Sequence, residues 1–467
     1  MKPMTAFKAI AILHFACFIL HSHGAVIEQV IVRQQWPWST DVKVEYKVAG
    51  VTTPVNIAVR AFNGEEELPS ANLEAAISGE RYGIAEDGVG TFVIDPVKAF
   101  GTAKVALANF KVKLSLTPAA ANINEVIYKV FDLTTGTCQD ITRADFYNGK
   151  VEDGDFVTDY TSLDSHLLAP NSEMVGDVLI WTGITNNVKY KTTHLVMRKI
   201  PAANKIWTMG APPTEPGYQE STETNHLVKL TQNYYMGVFE ITQKQYTLLV
   251  GNNPSTGTSR EDADVLPVNK LYYGSLDANN NNTACEFAKR MRTKTKNVNF
   301  CLPTEAQWEF ACRAGSVTAL YSGRFVSEGG LWSGKDGQTN PLAWFGGDNA
   351  TQGNSAIDGI LAQHPVGQKV PNAFGLYDML GNVLEFTTDL LNTGSDYIST
   401  FGTNWQPGDV VVDPNVTVTG SKFVLRGGSY QKAAAYCRSG CRRLSLGRWD
   451  TPSNDNGMRM ALMDDAE

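Results

Sequence analysis

Residues 372–386 read NAFGLYDMLGNVLEF, a segment rich in glycine and in side chains with oxygen atoms. Gly375 and Gly381 allow a positive φ or a close approach of the backbone to a neighbour. Asp378 and Glu385 are carboxylates seven residues apart. Such spacing across turns can bring oxygens around a hard cation such as calcium, which takes about six to eight oxygen ligands. A surface turn with two solvated acids has the same spacing, so the segment alone leaves both interpretations open.

A second informative segment, residues 299–315, reads NFCLPTEAQWEFACRAG. Thr304 and Gln307 have the spacing of a capping box, which starts a helix. Gly315 stands where a helix commonly ends. The segment therefore predicts a short, well-bounded helix that offers Trp308 and Phe310 for packing.

Length and composition set outer bounds on the architecture. The chain has 467 residues, of which 43% are hydrophobic, enough for two or three domains with a sizeable core. The formal net charge is −8, and the sequence has no basic clusters of the kind that bind nucleic acid. Nucleic acid is therefore excluded as the main partner.

The first 25 residues are typical of a secretory signal peptide. Lys2 and Lys8 precede an apolar run at 9–20, and small residues follow at 22–25. The run is too short to span a membrane comfortably, so no stable membrane insertion is expected. The predicted location is secreted, periplasmic or extracellular, where disulfides persist. Outside this segment the chain has six cysteines: Cys138, Cys285, Cys301, Cys312, Cys437 and Cys441.

Residues 26–190 have the alternation of β-strands. Val42, Val44, Tyr46 and Val48 are separated by polar residues, which is the period of a half-buried strand. Similar runs recur between Gly- and Asn-rich turns. We predict an antiparallel β-sandwich, immunoglobulin-like or fibronectin-like, over 26–190, followed by a second domain over 191–467.

Both quoted segments resemble signatures of the formylglycine-generating enzyme family, also called sulfatase-modifying factors. The family reads NxxGLYDMxGNVWEW at the first and RLPTEAEWEYACRAG at the second. HPVG at 364–367, VLRGGSY at 424–430 and NGMR at 456–459 continue the resemblance in order. It covers about residues 190–465 and implies an α+β, C-type-lectin-like fold with little regular secondary structure. Leu384 and Phe386 replace two tryptophans of the signature.

The resemblance also implies metal sites. A structural calcium would be held by the side chains of Asp378 and Glu385 and the carbonyls of Gly381 and Val383. The family's enzymes use copper(I) between two cysteine thiolates, soft ligands that suit this ion. The residues that stand at the active-site serine, the first cysteine and the second cysteine of the family are Ser429, Lys432 and Cys437. An ammonium group cannot ligate a metal, so copper binding is in question, and the candidate catalytic residues are Cys437 and Ser429.

The resemblance further implies a disulfide between Cys312 and Cys441. The position that would pair with Cys285 is occupied by Met460, which leaves Cys285 to pair with Cys301 or to stay unpaired. Cys437 could remain a free thiol.

Three functions remain open at this point. The chain could be a divergent family member with an incomplete copper site, an active oxidase that converts a sulfatase cysteine to formylglycine, or an extracellular module that binds glycan or protein. An arginine cluster near the C-terminus could bind an anionic peptide or a sulfated glycan, or could pair with acids such as Asp450 and Asp455. The cluster comprises Arg438, Arg442, Arg443 and Arg448.

Overall fold

The structure is a computed structural model. It describes residues 25–34, 41–51, 55–100 with short gaps between 65 and 85, 110–118, 125–142, 145–146, 151–152, 155–156, 172–175, 178–274, 283–347 except 333, 353–391, 408–416, 422–444 and 452–464. The predicted signal peptide lies outside the described residues, apart from Ala25.

The chain divides into two compact units, residues 1–123 and 124–467. The first unit contains two antiparallel sheets, with strand orders β1-β2-β6-β5 and β4-β3-β7. Among the described residues its strands are β1 (Val26–Gln34), β2 (Val42–Ala49), β3 (Val55–Asn63), β4 (Glu66–Glu67), β5 (Ile77–Gly79), β6 (Gly88–Ile94) and β7 (Phe110–Pro118), and the short helix α1 (Pro96–Phe100) follows β6.

Alternation of side chains explains these two sheets. Val44 in β2 and Ile57 in β3 are buried, while their chain neighbours lie toward the surface. One core cluster contains residues of both sheets, among them Phe92 and Leu114. Two antiparallel sheets over a shared core form a β-sandwich, so the predicted strand architecture of this region is confirmed.

The second unit is built from many short strands and few helices. Its strands are β8 (Val126–Asp132), β9 (Cys138–Thr142), β10 (Val151–Glu152), β11 (Asp155–Phe156), β12 (Ser172–Val175), β13 (Val178–Trp181), β14 (His194–Ile200), β15 (Lys205–Met209), β16 (His226–Leu230), β17 (Tyr234–Gly237), β18 (Phe300–Cys301), β19 (Ala343–Trp344), β20 (Ala356–Ile357), β21 (Ile360–Leu361), β22 (Leu380–Gly381), β23 (Leu384–Leu391), β24 (Val410–Val412), β25 (Lys422–Arg426), β26 (Arg443–Leu444), β27 (Asn456–Gly457) and β28 (Ala461–Met463). The helices that the structure describes in full are α2 (Glu220–Glu223), α3 (Gln243–Val250), α4 (Ala284–Thr295) and α5 (Glu305–Arg313), with 3₁₀ turns at Thr182–Thr185, Val188–Lys191, Ala263–Val265, Glu328–Gly330 and Ala434–Tyr436.

The division between the units lies earlier than the boundary predicted near residue 190. Strands β8 and β9 continue a six-stranded sheet of the second unit, with the order β18-β28-β17-β14-β8-β9. His194 pairs with Asp132 and Arg198 with Tyr128 in that sheet. The sequence shows that 126–132 is a strand, but only the pairing shows to which sheet the strand belongs.

The helix predicted from the second segment is confirmed as α5. The hydroxyl of Thr304 accepts a hydrogen bond from the backbone N–H of Gln307, and the side-chain oxygen of Gln307 accepts one from the backbone N–H of Thr304. Trp308 is fully buried in the largest core cluster of the second unit. Helix α5 is therefore both locally capped and anchored by an aromatic side chain.

A four-stranded sheet with the order β26-β25-β23-β27 carries the segments that the sequence singled out. Glu385 on β23 pairs with Arg426 on β25 and, in parallel, with Gly457 on β27. The glycine-rich turn after β25 and the closing motif around β27 thus lie on either side of the signature segment. No helix within the described residues is long and apolar enough to cross a membrane.

Candidate functional site

The turn that follows β25 brings Ser429 and Cys437 together. Gly427 and Gly428 have φ values of 95° and 76°, a region that favours glycine. A Cβ atom on Gly428 would lie 2.6 Å from Sγ of Cys437. The backbone N–H of Ser429 donates a hydrogen bond to this sulfur. The two candidate catalytic residues are therefore neighbours, and the absence of a side chain at Gly428 makes room for the thiol.

Lys432 lies in the same turn and faces a buried carboxylate. Oγ of Ser429 donates to Oδ2 of Asp455 at 2.7 Å, and the hydroxyl of Ser453 donates to Oδ1. Nζ of Lys432 lies 3.9 Å from Oδ2, with the lysine side chain 29% exposed and Asp455 1% exposed. The lysine that stands at the first cysteine position is thus the counter-ion of Asp455.

The thiol of Cys437 is fully buried. Burial raises the pKa of this thiol, and the neighbouring Cys441 raises it further. At neutral pH the group is therefore a protonated thiol, whereas metal ligation and nucleophilic attack need the thiolate.

The disulfide between Cys312 and Cys441 that the resemblance implies is not formed in the structure. Both thiols are unbonded, as are the other four described cysteines. Sγ of Cys312 lies 3.6 Å from Oγ of Ser439 and 3.9 Å from the carbonyl oxygen of Met379. The Cys441 thiol instead hydrogen-bonds to Glu223. The two sulfurs thus have different partners.

Two arginines of the predicted anion-binding cluster are buried in ion pairs. Arg438 binds Glu215 at 2.7 Å and Glu223 at 2.8 Å, with all three side chains buried. Arg442 binds Glu305 at the N-terminus of α5. The partners are therefore distant glutamates rather than the nearby aspartates that the sequence suggested, and neither arginine is available to a ligand.

Arg443 differs from these two. Its guanidinium carbon lies 5.1 Å from the ring centroid of Tyr436, and the side chain is half-buried. Arg448 and Asp450 lie outside the described residues.

Arg426 extends the buried ion-pair network to helix α5. Its guanidinium binds Glu309 and lies 3.5 Å from Glu305. It also donates to the carbonyl oxygens of Ser439 and Cys441. Because each buried charge has a partner, the network fixes residues 439–442, which follow the Ser429–Cys437 turn, against α5 without leaving an uncompensated charge.

Asp378 has the features of a cation ligand. It is 1% exposed and has a φ of 54°. Oδ2 accepts the backbone N–H of Gly367 at 2.6 Å, whereas Oδ1 is buried and has no hydrogen-bond partner among the described residues. Burial raises the pKa of this carboxyl to about 6. A buried oxygen without a donor fits a bound cation.

Glu385 fits a cation less well. Its Oε1 lies 2.8 Å from Nη2 of Arg459, and its Oε2 accepts Nε1–H of Trp308 at 2.6 Å. Both oxygens are thus already engaged by donors. Within the described residues, no group of three or more His, Cys, Asp or Glu side chains is arranged to hold a metal ion. The calcium site remains a prediction, and of its two carboxylates Asp378 is the one the geometry favours.

Three residues of these sites were not assigned by the sequence. Glu240 is fully buried and accepts hydrogen bonds from Nδ2 of Asn382 at 2.7 Å and from the backbone N–H of Val383 at 3.0 Å. In the sequence, Arg459 was identified only as part of the closing motif, and Asp455 only as a possible partner of the arginine cluster. Acidic residues inside otherwise apolar segments, such as Glu240 in YYMGVFEIT, are the signal that could have found one of them.

Comparison with known proteins places the second unit in a family. The family model described as "Sulfatase-modifying factor enzyme 1-like domain" matches residues 205–463. The formylglycine-generating enzyme of Mus musculus is 31% identical over 164 residues, which are 34% of this chain and 38% of the mouse protein. The inactive C-alpha-formylglycine-generating enzyme 2 of the same organism is 35% identical over 109 residues, which are 22% of this chain and 31% of that protein.

A solved structure titled Treponema denticola variable protein 1 aligns with a TM-score of 0.44 and 23% identity, covering 58% of this chain and 96% of the other. The family match extends over more than half of the chain. The chain therefore belongs to the sulfatase-modifying factor (formylglycine-generating enzyme-like) family. It spans less than half the length of the two curated mouse relatives.

Proposed function

We propose that this protein is a divergent family member that binds a protein or peptide ligand next to the Ser429–Cys437 turn and does not carry out oxidation at a two-thiolate copper site. The observation that carries the proposal is the ion pair between Lys432 and Asp455, 3.9 Å apart, at the position of the first thiolate. A cation bound to a buried carboxylate opposes a second cation at the same place. One relative, from Mus musculus, is named an inactive C-alpha-formylglycine-generating enzyme, which supports the possibility of a member without this activity.

The state of Cys437 supports the same proposal. The thiol is buried, and its raised pKa keeps it protonated at neutral pH. One protonated sulfur does not supply the two soft anionic ligands that Cu(I) prefers. The proposed location is outside the cytoplasm, on the basis of the sequence of residues 1–25.

Competition with a chromophoric Cu(I) chelator under reducing conditions tests the proposal. We expect the wild-type protein and Cys437→Ser to take up equally little copper. Lys432→Cys should create a site and raise Cu(I) affinity by orders of magnitude, and Lys432→Cys with Cys437→Ser should lose it again. Copper uptake by the wild-type protein that Cys437→Ser abolishes would contradict the proposal and favour the oxidase, which oxygen-dependent conversion of a cysteine-containing sulfatase peptide would then establish.

We also propose a structural calcium near Asp378, with the carbonyls of Gly381 and Val383 as further ligands and Glu385 as a ligand only if Arg459 releases one of its oxygens. The orphaned Oδ1 of Asp378 supports this site. Melting with calcium and with chelator tests it. A midpoint raised by calcium in the wild type but not in Asp378→Asn is expected, and an unchanged wild-type midpoint would argue against the ion.

A further inference from the structure

An aromatic pair with one exposed ring lies at the Ser429–Cys437 turn. Trp332 is 44% exposed, and its ring packs edge-to-face against Tyr436 with a centroid distance of 5.6 Å and an interplanar angle of 72°. Tyr436 directly precedes Cys437. We call these two rings the aromatic platform. Tryptophan and tyrosine are enriched among the few residues that carry most of the binding energy at protein interfaces.

The aromatic platform is held by the backbone on both sides. The backbone N–H of Ala435 donates to the carbonyl oxygen of Leu331 at 3.0 Å, which joins the loop of Trp332 to the turn of Tyr436. Asp336 accepts hydrogen bonds from the backbone N–H groups of Ser327 and Thr339, at 3.2 and 2.8 Å, and so fixes the rest of that loop. A surface fixed before binding loses little conformational entropy on binding.

The two chain segments that carry the platform have more surface cations than acids among their described residues. Arg443 covers the ring of Tyr436, with 5.1 Å between the guanidinium carbon and the centroid. In the described parts of segments 323–340 and 429–443, the charged side chains that reach the surface are Arg324, Lys335, Lys432 and Arg443 against a single acid, Glu328. Arg438 and Arg442 of the same segments are buried with glutamates. This local excess of positive charge contrasts with the net charge of −8 for the chain.

We propose that the aromatic platform binds an acidic peptide segment that carries an aromatic or aliphatic side chain. The apolar side chain packs on Trp332, and the carboxylates of the peptide face Arg443 and Lys335, which is exposed three residues after Trp332. A sulfated glycan would match the charge but would bring no apolar side chain to an indole that is already exposed. This inference rests on the proposed binding function and names the class of its ligand.

Selection from a random dodecapeptide display library tests the inference. The library is selected on the full-length protein and depleted on Trp332→Ala. We expect the recovered peptides to be enriched in Asp and Glu around one aromatic or aliphatic residue. A synthetic peptide from the selection should bind Trp332→Ala about tenfold or more weakly, and Arg443→Gln should weaken binding and flatten its salt dependence.

Control variants separate a binding effect from a folding effect. Trp332→Phe should keep most of the affinity because an aromatic ring remains. Val298→Ala, which changes a side chain that is 78% exposed at the turn after α4, should leave binding unchanged. Circular dichroism should show that Trp332→Ala is folded.

Three outcomes would each overturn the inference. The recovered peptides could be basic or neutral, or they could bind Trp332→Ala as well as the wild type. The third outcome is that no peptide is enriched while a heparin fragment binds. These outcomes leave the copper experiment unaffected. Cu(I) uptake that depends on Cys437 would instead overturn the proposed function itself.

Discussion

Nζ of Lys432 lies 3.9 Å from Oδ2 of Asp455, and the same oxygen accepts the hydroxyl of Ser429 at 2.7 Å. One buried carboxylate thus joins the lysine at the first cysteine position to the serine that matches the family's active-site serine. Lys432, which the resemblance aligns with a family cysteine, therefore has a charge partner in the structure.

Replacing Asp455 tests this arrangement. Asp455→Asn should lower the free energy of unfolding by about 1–3 kcal/mol because buried hydroxyl donors lose a charged acceptor. Lys432→Met should change it by only about 0–1 kcal/mol because the lysine reaches solvent. Urea denaturation measures the free energy of unfolding of both variants. An equal loss of stability in the two would show that the ion pair contributes more to stability than the hydroxyl hydrogen bonds.

Gly428 should not tolerate a side chain. In Gly428→Ala the new methyl group would meet Sγ of Cys437 at 2.6 Å in a backbone with φ of 76°. Strain and overpacking together should destabilise the protein by about 2–5 kcal/mol. Gly251→Ala has a similar φ of 91° but open space around the Cβ, so it should cost only about 1–2 kcal/mol. Partial rescue of Gly428→Ala by Cys437→Ala, seen in thermal melting, would identify the sulfur as the obstacle.

Arg426 should be among the most sensitive charged residues. Arg426→Met leaves Glu305 and Glu309 buried without this partner, which should cost about 3–5 kcal/mol. Arg290→Met breaks only an exposed helical pair with Glu286 and should cost about 0.3–0.5 kcal/mol. A mild effect of Arg426→Met in denaturant titration would mean that Arg313 and Arg442 compensate for both glutamates.

His226 should make the protein less stable in weak acid. Burial lowers the pKa of this histidine, although the backbone of Thr224 and the carboxylates of Glu305 and Glu309 act in the opposite direction and Arg442 adds to the lowering. The unfolded chain takes up a proton near pH 6.5, which the folded protein does not, so the stability present above this pH is lost as the pH falls below it.

The free energies of unfolding of the wild type and of His226→Gln, measured between pH 7 and pH 5, give the contribution of His226 to the pH dependence of stability. His226→Gln keeps an N–H donor for the carbonyl of Thr224 but cannot titrate. It should lose less stability over this range than the wild type. Parallel pH profiles of the two proteins would show that His226 does not contribute.

Local rules made several features of the fold predictable. The capping box at Thr304 and Gln307, the strand alternation around Val44 and the positive φ of Gly375 and Gly381 are confirmed. Each feature depends on contacts or steric limits between residues that are close in the chain, and these can be read from the sequence. The order of the family motifs added the identity of the second unit.

The sites depended on partners far apart in the chain. Arg438 and Glu215 are 223 positions apart, and Trp308 and Glu385 are 77 apart. Composition cannot predict which residues pair, because a buried arginine forms an ion pair with whichever acid the fold places within contact distance. For the same reason, the sequence assigned 126–132 to the first domain, whereas sheet pairing assigns it to the second unit.

The sequence by itself determined the family, the helix of the second signature and the strands of the first unit. Only the tertiary structure decided that Lys432 is bound to Asp455, that Arg438 and Arg442 are engaged with glutamates, and that Trp332 remains exposed beside Tyr436. The physical reason is the distance along the chain over which each feature is determined. Backbone conformation depends on neighbouring residues. Ion pairing and exposure depend on which parts of the chain, distant in sequence, pack against each other in the fold.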